Sequence, residues 1–88
     1  MLKKSKIAPD LPEVPEGWTL QVRPQMRNGK EEWEYRLTPP TRVIYLVAQP
    51  VYCGTYFQSR DNAIRSAVEL AEAIEDRFVN ASVNWETV

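Results

Sequence analysis

Asn28-Gly29 stands between two runs in which apolar and polar residues alternate: Trp18, Leu20 and Val22 before it, Trp33, Tyr35 and Leu37 after it. Asn-Gly is the strongest short signal for a two-residue hairpin loop, because both residues accept the positive φ of a type I′ turn. The loop fixes the pairing. With Asn28 and Gly29 at the tip, Val22 falls opposite Tyr35 and Leu20 opposite Leu37 on one face. Arg23 then falls opposite Glu34, and Gln21 opposite Arg36, on the other. An apolar face, a polar face and a cross-strand ion pair come from one register, and a slip of one residue would destroy all three.

The segments around this hairpin follow from punctuation by proline and from a change of period. Pro9, Pro12 and Pro15 fix φ and withhold backbone donors, so residues 1–16 read as an extended arm. Thr38-Pro39-Pro40-Thr41 ends the second strand, since consecutive prolines cannot donate to a ladder. Arg42 to Gln49 is rich in strong β-formers with apolar groups on both faces and reads as a third strand. Pro50 interrupts it. Val51 to Phe57 reads as a short further strand with a bulge or bend at Gly54, so residues 42–57 are one broken strand or two. Ser59 then suits a helix N-cap, with Asp61 in the first turn. Ile64, Ala67, Val68, Ala71, Ile74 and Phe78 recur at three- and four-residue steps, which predicts a helix to about Phe78 with one apolar stripe facing the sheet. Asn80 is the expected stop, and residues 81–88 are a tail or a last edge strand.

The predicted fold is therefore α+β: an antiparallel three- to four-stranded sheet with one C-terminal amphipathic helix on one face. Residues 17–80 form the single domain. A chain of 88 residues buries only about 60–65% of its unfolded surface, too little for a deep catalytic cavity. The chain contains no histidine and a single cysteine, Cys53, which removes Ser/His/Asp and Cys/His nucleophile systems, Cys/His zinc sites and an intrachain disulfide. Neither a catalytic group, a cofactor nor a metal is expected. Cys53 lies in a strand segment without a charged neighbour in sequence and is expected to be a buried or half-buried thiol. No apolar run approaches the ~20 residues that span a bilayer, and the first residues carry the charges of a signal peptide without its apolar stretch, so a cytoplasmic protein is expected.

Two surfaces are candidate sites. Three tryptophans and four tyrosines are a heavy load for one small sheet. Tyr45, Tyr52, Tyr56 and Trp85 are the hardest to place under a single helix, and aromatic side chains enrich interface centres. They are the candidate contact for a protein partner or for self-association. The second surface is the polar sheet face, where Gln21, Arg23, Gln25, Arg36 and, at the rim, Arg42 offer the side chains a sheet uses to read base edges and hold phosphates. Glu32 and Glu34 lie in its middle and would repel phosphates. The formal net charge of -1 gives no general attraction to nucleic acid. A protein-interaction or regulatory module is therefore the leading expectation, with nucleic-acid binding the alternative.

Overall fold

The computed structural model describes residues 11–44 and 49–83, with side chains through Val79. It contains a three-stranded antiparallel sheet in the order β1 (Thr19–Arg27), β2 (Lys30–Thr38), β3 (Tyr52–Phe57). A one-turn helix, α1 (Thr41–Ile44), follows β2, and the long helix α2 (Arg60–Val83) packs against the sheet. Tyr45 and Trp85, residues 1–10 of the arm and any strand over residues 84–88 lie outside the described residues.

The hairpin has the register its turn dictates. Arg27 pairs with Lys30, Val22 with Tyr35 and Leu20 with Leu37 along a ladder without interruption. Asn28 and Gly29 both take positive φ, 54° and 76°, as a two-residue loop requires. Because the residues flanking such a loop exchange both hydrogen bonds, alternation makes Pro24 and Trp33 a non-hydrogen-bonded pair. The donor that Pro24 lacks is thus one that faces the outer edge of β1, and the ladder loses nothing.

β3 joins β2 from the other side, pairing Leu37 with Tyr52, Arg36 with Cys53 and Tyr35 with Gly54. The register then shifts by one residue before Trp33 meets Phe57, so a bulge falls at Thr55 and Tyr56 rather than at Gly54 itself. Tyr56 carries the unusual backbone, at φ 71°. Gly54 has a different task. The Tyr35 ring lies across it, stacked on Phe57 with centroids 5.7 Å apart. Burial pushes the Tyr35 phenol above its ordinary pKa, opposed by a hydrogen bond with Ser66 of α2.

The expected third strand over Arg42–Gln49 does not begin at Arg42. Thr41–Ile44 is helical, closed by the Val43 N–H donating to the Pro40 carbonyl at 3.2 Å, and residues 45–48 lie outside the described segment. Pro39 and Pro40 hold φ near the helical value, and packing decides the rest. Val43 is fully buried in the core beside Trp18, Leu37 and Ile74, a burial that outweighs the β-preference of its neighbours.

α2 starts as expected. The Ser59 Oγ accepts the Asn62 N–H at 3.1 Å, and Asp61 lies in the first turn. Ile64, Ala67, Val68, Ala71 and Ile74 are buried, and Phe78 is half-buried against the same core. The stop at Asn80 is not used, and the helix continues to Val83. Asparagine permits a left-handed cap without imposing one, and Ala81 favours continuation.

Candidate functional site

The parity of the strands sorts every polar side chain of the hairpin. Leu20, Val22, Tyr35 and Leu37 turn to the helix and pack in or against the core. Gln21, Arg23, Gln25 and Arg27 of β1 and Glu32, Glu34 and Arg36 of β2 fall on the opposite, open face. Cys53 falls there too, paired with Arg36. It is exposed, which overturns the expectation of a buried or half-buried thiol. The period of two was sufficient to place it, since Tyr52 and Gly54 face inward.

Two ion pairs organise the open face. Arg23 binds Glu34 across the strands through its Nε. Arg27 makes a two-point contact with Glu32, Nε to Oε1 at 2.7 Å and Nη2 to Oε2 at 3.0 Å. The Glu32 carboxyl is held below its ordinary pKa chiefly by this hydrogen bond. Arg27 also lies 4.4 Å from the centroid of Tyr56, whose ring the bulge has turned outward. Of the three arginines on this face, only Arg36 has no carboxylate partner among the described residues. A groove of about 410 Å³ runs past it, lined by Gln21 and Arg23 of β1, Glu34 and Arg36 of β2, and Cys53 of β3, with Val22 and Tyr35 completing the wall.

Arg42 is elsewhere. Its guanidinium grips Glu75 of α2, with Nη1 to Oε1 at 2.9 Å and Nη2 to Oε2 at 2.7 Å, and donates to the Glu16 carbonyl at 2.9 Å. The Trp18 indole N–H donates to the same Glu75 carboxylate at 2.6 Å. One half-buried carboxylate thus ties the proline arm, α1 and the helix together. Arg42 is therefore not brought together with Gln21, Arg23, Gln25 and Arg36. Nothing in composition marks Glu75 among the helix acids. Its position does: it lies four residues after Ala71 and three before Phe78, at the border of the apolar stripe.

The Glu75 carboxyl is held below the usual 4.5 mainly by the hydrogen bond from Arg42, with the Trp18 bond adding and burial opposing. A depressed folded-state pKa means stability that is full above about pH 4.5 and lost as pH falls through the lower folded value. Glu75→Gln should lower the thermal midpoint at pH 7 by several degrees, and the gap to the wild type should close on acidification below about pH 4.5. Thermal unfolding followed by circular dichroism between pH 7 and pH 3 measures it. A gap that does not change with pH would mean that the charge on Glu75 contributes nothing.

The aromatic set divides. Tyr52 is half-buried against the core and serves packing. Tyr56 is 60% exposed. Trp33 is half-buried beside Pro24, and Met26, 68% exposed, continues that side of the hairpin toward its tip. Among the described residues no group of three His, Cys, Asp or Glu side chains is arranged to hold a metal ion, and no helix is long and apolar enough to cross a membrane. No family model, curated protein or solved structure matches the chain.

Proposed function

We propose that this chain is a non-enzymatic protein-interaction module that seats a protein partner on the open face of its sheet, with Tyr56 as the anchor at the rim. The observation that carries this reading is the backbone of Tyr56. A bulky residue held at positive φ costs about 1–3 kcal/mol. Its ring is exposed, and stacking under Arg27 returns only about 0.5–1 kcal/mol at such a site. Glycine or asparagine would serve the bulge at less cost, so folding alone does not account for a tyrosine there. An exposed aromatic fixed in place, with its backbone and its arginine neighbour already ordered, is the form a binding hot spot takes.

The charge pattern favours a protein over a nucleic acid. Arg23 and Arg27 are already neutralised by Glu34 and Glu32, and a phosphate backbone needs several uncompensated cations in a row. A second copy of the chain remains one form the protein partner can take. A reducing, cytoplasmic compartment suits the exposed, unpaired thiol of Cys53.

Tyr56→Asn separates folding from binding. The variant keeps a residue tolerant of the left-handed region, so its thermal midpoint should equal or exceed that of the wild type. Capture from an extract of the source cells by the full chain should lose a stoichiometric polypeptide, corresponding to ~30-fold weaker binding or more. A Glu72→Ala variant on the exposed back of α2 should retain it. Sedimentation at rising concentration tells self-association from a different partner. Retention by Tyr56→Asn together with a fall in its midpoint would make Tyr56 structural and overturn the reading, as would capture of nuclease-sensitive material only.

A further inference from the structure

We propose that Arg36, with Gln21 beside it, is a receptor for a carboxylate carried by the partner, so that the groove selects a protein segment presenting an aspartate, a glutamate or a terminal carboxylate. This rests on the open face being the docking surface. Within the groove stand two arginines and one glutamate, and Arg23 has engaged the Glu34 carboxylate. One positive charge is left uncompensated, on Arg36. The residue sits on the central strand, between Gln21 on β1 and Cys53 on β3.

The neighbours make the site fit one kind of ligand. Gln21 adds an amide donor next to the guanidinium without adding charge. Cys53 is small and leaves the third side of Arg36 open. A planar guanidinium recognises a carboxylate through two parallel N–H···O bonds, which fixes orientation as well as charge. Glu34 and Glu32 follow on the same face of β2 and disfavour a multiply charged ligand laid along the strand, while a single carboxylate at Arg36 meets only Glu34, whose charge Arg23 already offsets. Charge and geometry thus match an acidic side chain better than a phosphodiester run.

The test is a titration of the isotopically labelled full chain, read at the Arg36 Nε–Hε, the Gln21 side-chain amide and the Cys53 backbone amide. The probes are capped Gly-Glu-Gly, capped Gly-Gln-Gly, inorganic phosphate and a short single-stranded DNA. Capped Gly-Glu-Gly should shift the three groove signals saturably and more than the side chains of Arg60 and Arg77 on the helix, and the glutamine peptide should not. Arg36→Gln should weaken the effect at Gln21 and Cys53 at least tenfold, and Arg36→Lys should fall between, since it keeps the charge and loses the two-point contact. An Arg36 signal that moves no more than those of Arg60 and Arg77 would overturn the proposal. So would a response to phosphate or DNA exceeding that to the glutamate peptide. Capture experiments keep the two readings apart: a partner lost on Tyr56→Asn but fully retained by Arg36→Gln leaves the docking face standing and removes the carboxylate receptor. A partner retained by both variants removes the docking face itself.

Discussion

Gly54→Ala should cost about 3 kcal/mol, the upper end for forcing volume into a packed core, and lower the thermal midpoint by roughly 12–24 °C. A methyl group at Gly54 would stand 2.7 Å from the Tyr35 Cζ, closer still to its Cε2, and 3.0 Å from the Phe57 Cε2. The buried Tyr35 ring has little room to yield. Tyr35 is stacked on Phe57 on one side and bonded to Ser66 of the helix on another, so its retreat would lift α2 from the sheet. An aromatic ring laid over a cross-strand glycine on an edge strand is a recurrent way of covering exposed backbone, and here it also sets the distance between helix and sheet. The double variant Gly54→Ala/Tyr35→Ala checks the cause. If the clash with the ring is the whole effect, the second change costs far less in the Gly54→Ala background than alone, giving coupling of 0.5–3 kcal/mol in chemical denaturation. Additive costs, or a neutral Gly54→Ala, would refute the account.

Leu37→Ala should cost about 2–5 kcal/mol. Leu37 is fully buried on the central strand, in the same cluster as Trp18, Val43, Ala67, Ala71 and Ile74. Three of those neighbours are held in position by other bonds. Trp18 is pinned by Glu75, Val43 by the turn on Pro40, and Ile74 by the rigid helix, so the cavity cannot close easily. A loss toward the upper end of the range is expected, a large share of the stability of any domain this size. Urea denaturation with an unchanged slope and a lower midpoint would confirm it. A loss below about 1 kcal/mol would show that the cluster repacks around the missing side chain.

The hairpin was legible because two independent signals, a turn with only one good geometry and a strict period of two, converge on one register. The helix stripe was legible for the same reason, with Ser59 marking its start. The failures have a common cause. At Thr41–Ile44 the local preference is for strand, yet Val43 is drawn into the core and Arg42 to Glu75, contacts that span the chain and leave no local trace. Tyr56 illustrates a subtler case. Alternation from Tyr52 and Gly54 assigns it to the buried face, and a single extra residue in the ladder turns it to the open one. The candidate site was legible in part. Gln21, Arg23, Gln25 and Arg36 share the polar face that the register gave them, and Cys53 joins it by the same alternation, whereas the capture of Arg42 depends on Glu75 of the distant helix and the stacking of Arg27 on Tyr56 depends on the bulge in the third strand.

The outer edge of β1 lacks a donor at its midpoint, at Pro24, and the outer edge of β3 is distorted at Thr55 and Tyr56. A partner that adds a strand obtains its affinity from main-chain hydrogen bonds that are the same for every sequence. Among the described residues both edges of the sheet are blunted, as protected edges usually are. Selectivity follows from this. On the proposed reading, a ligand lying across the face instead of along an edge would meet arginine, glutamine and tyrosine side chains, and a change of one residue in it would alter the fit, so the proline and the bulge would trade indiscriminate adhesion for discrimination.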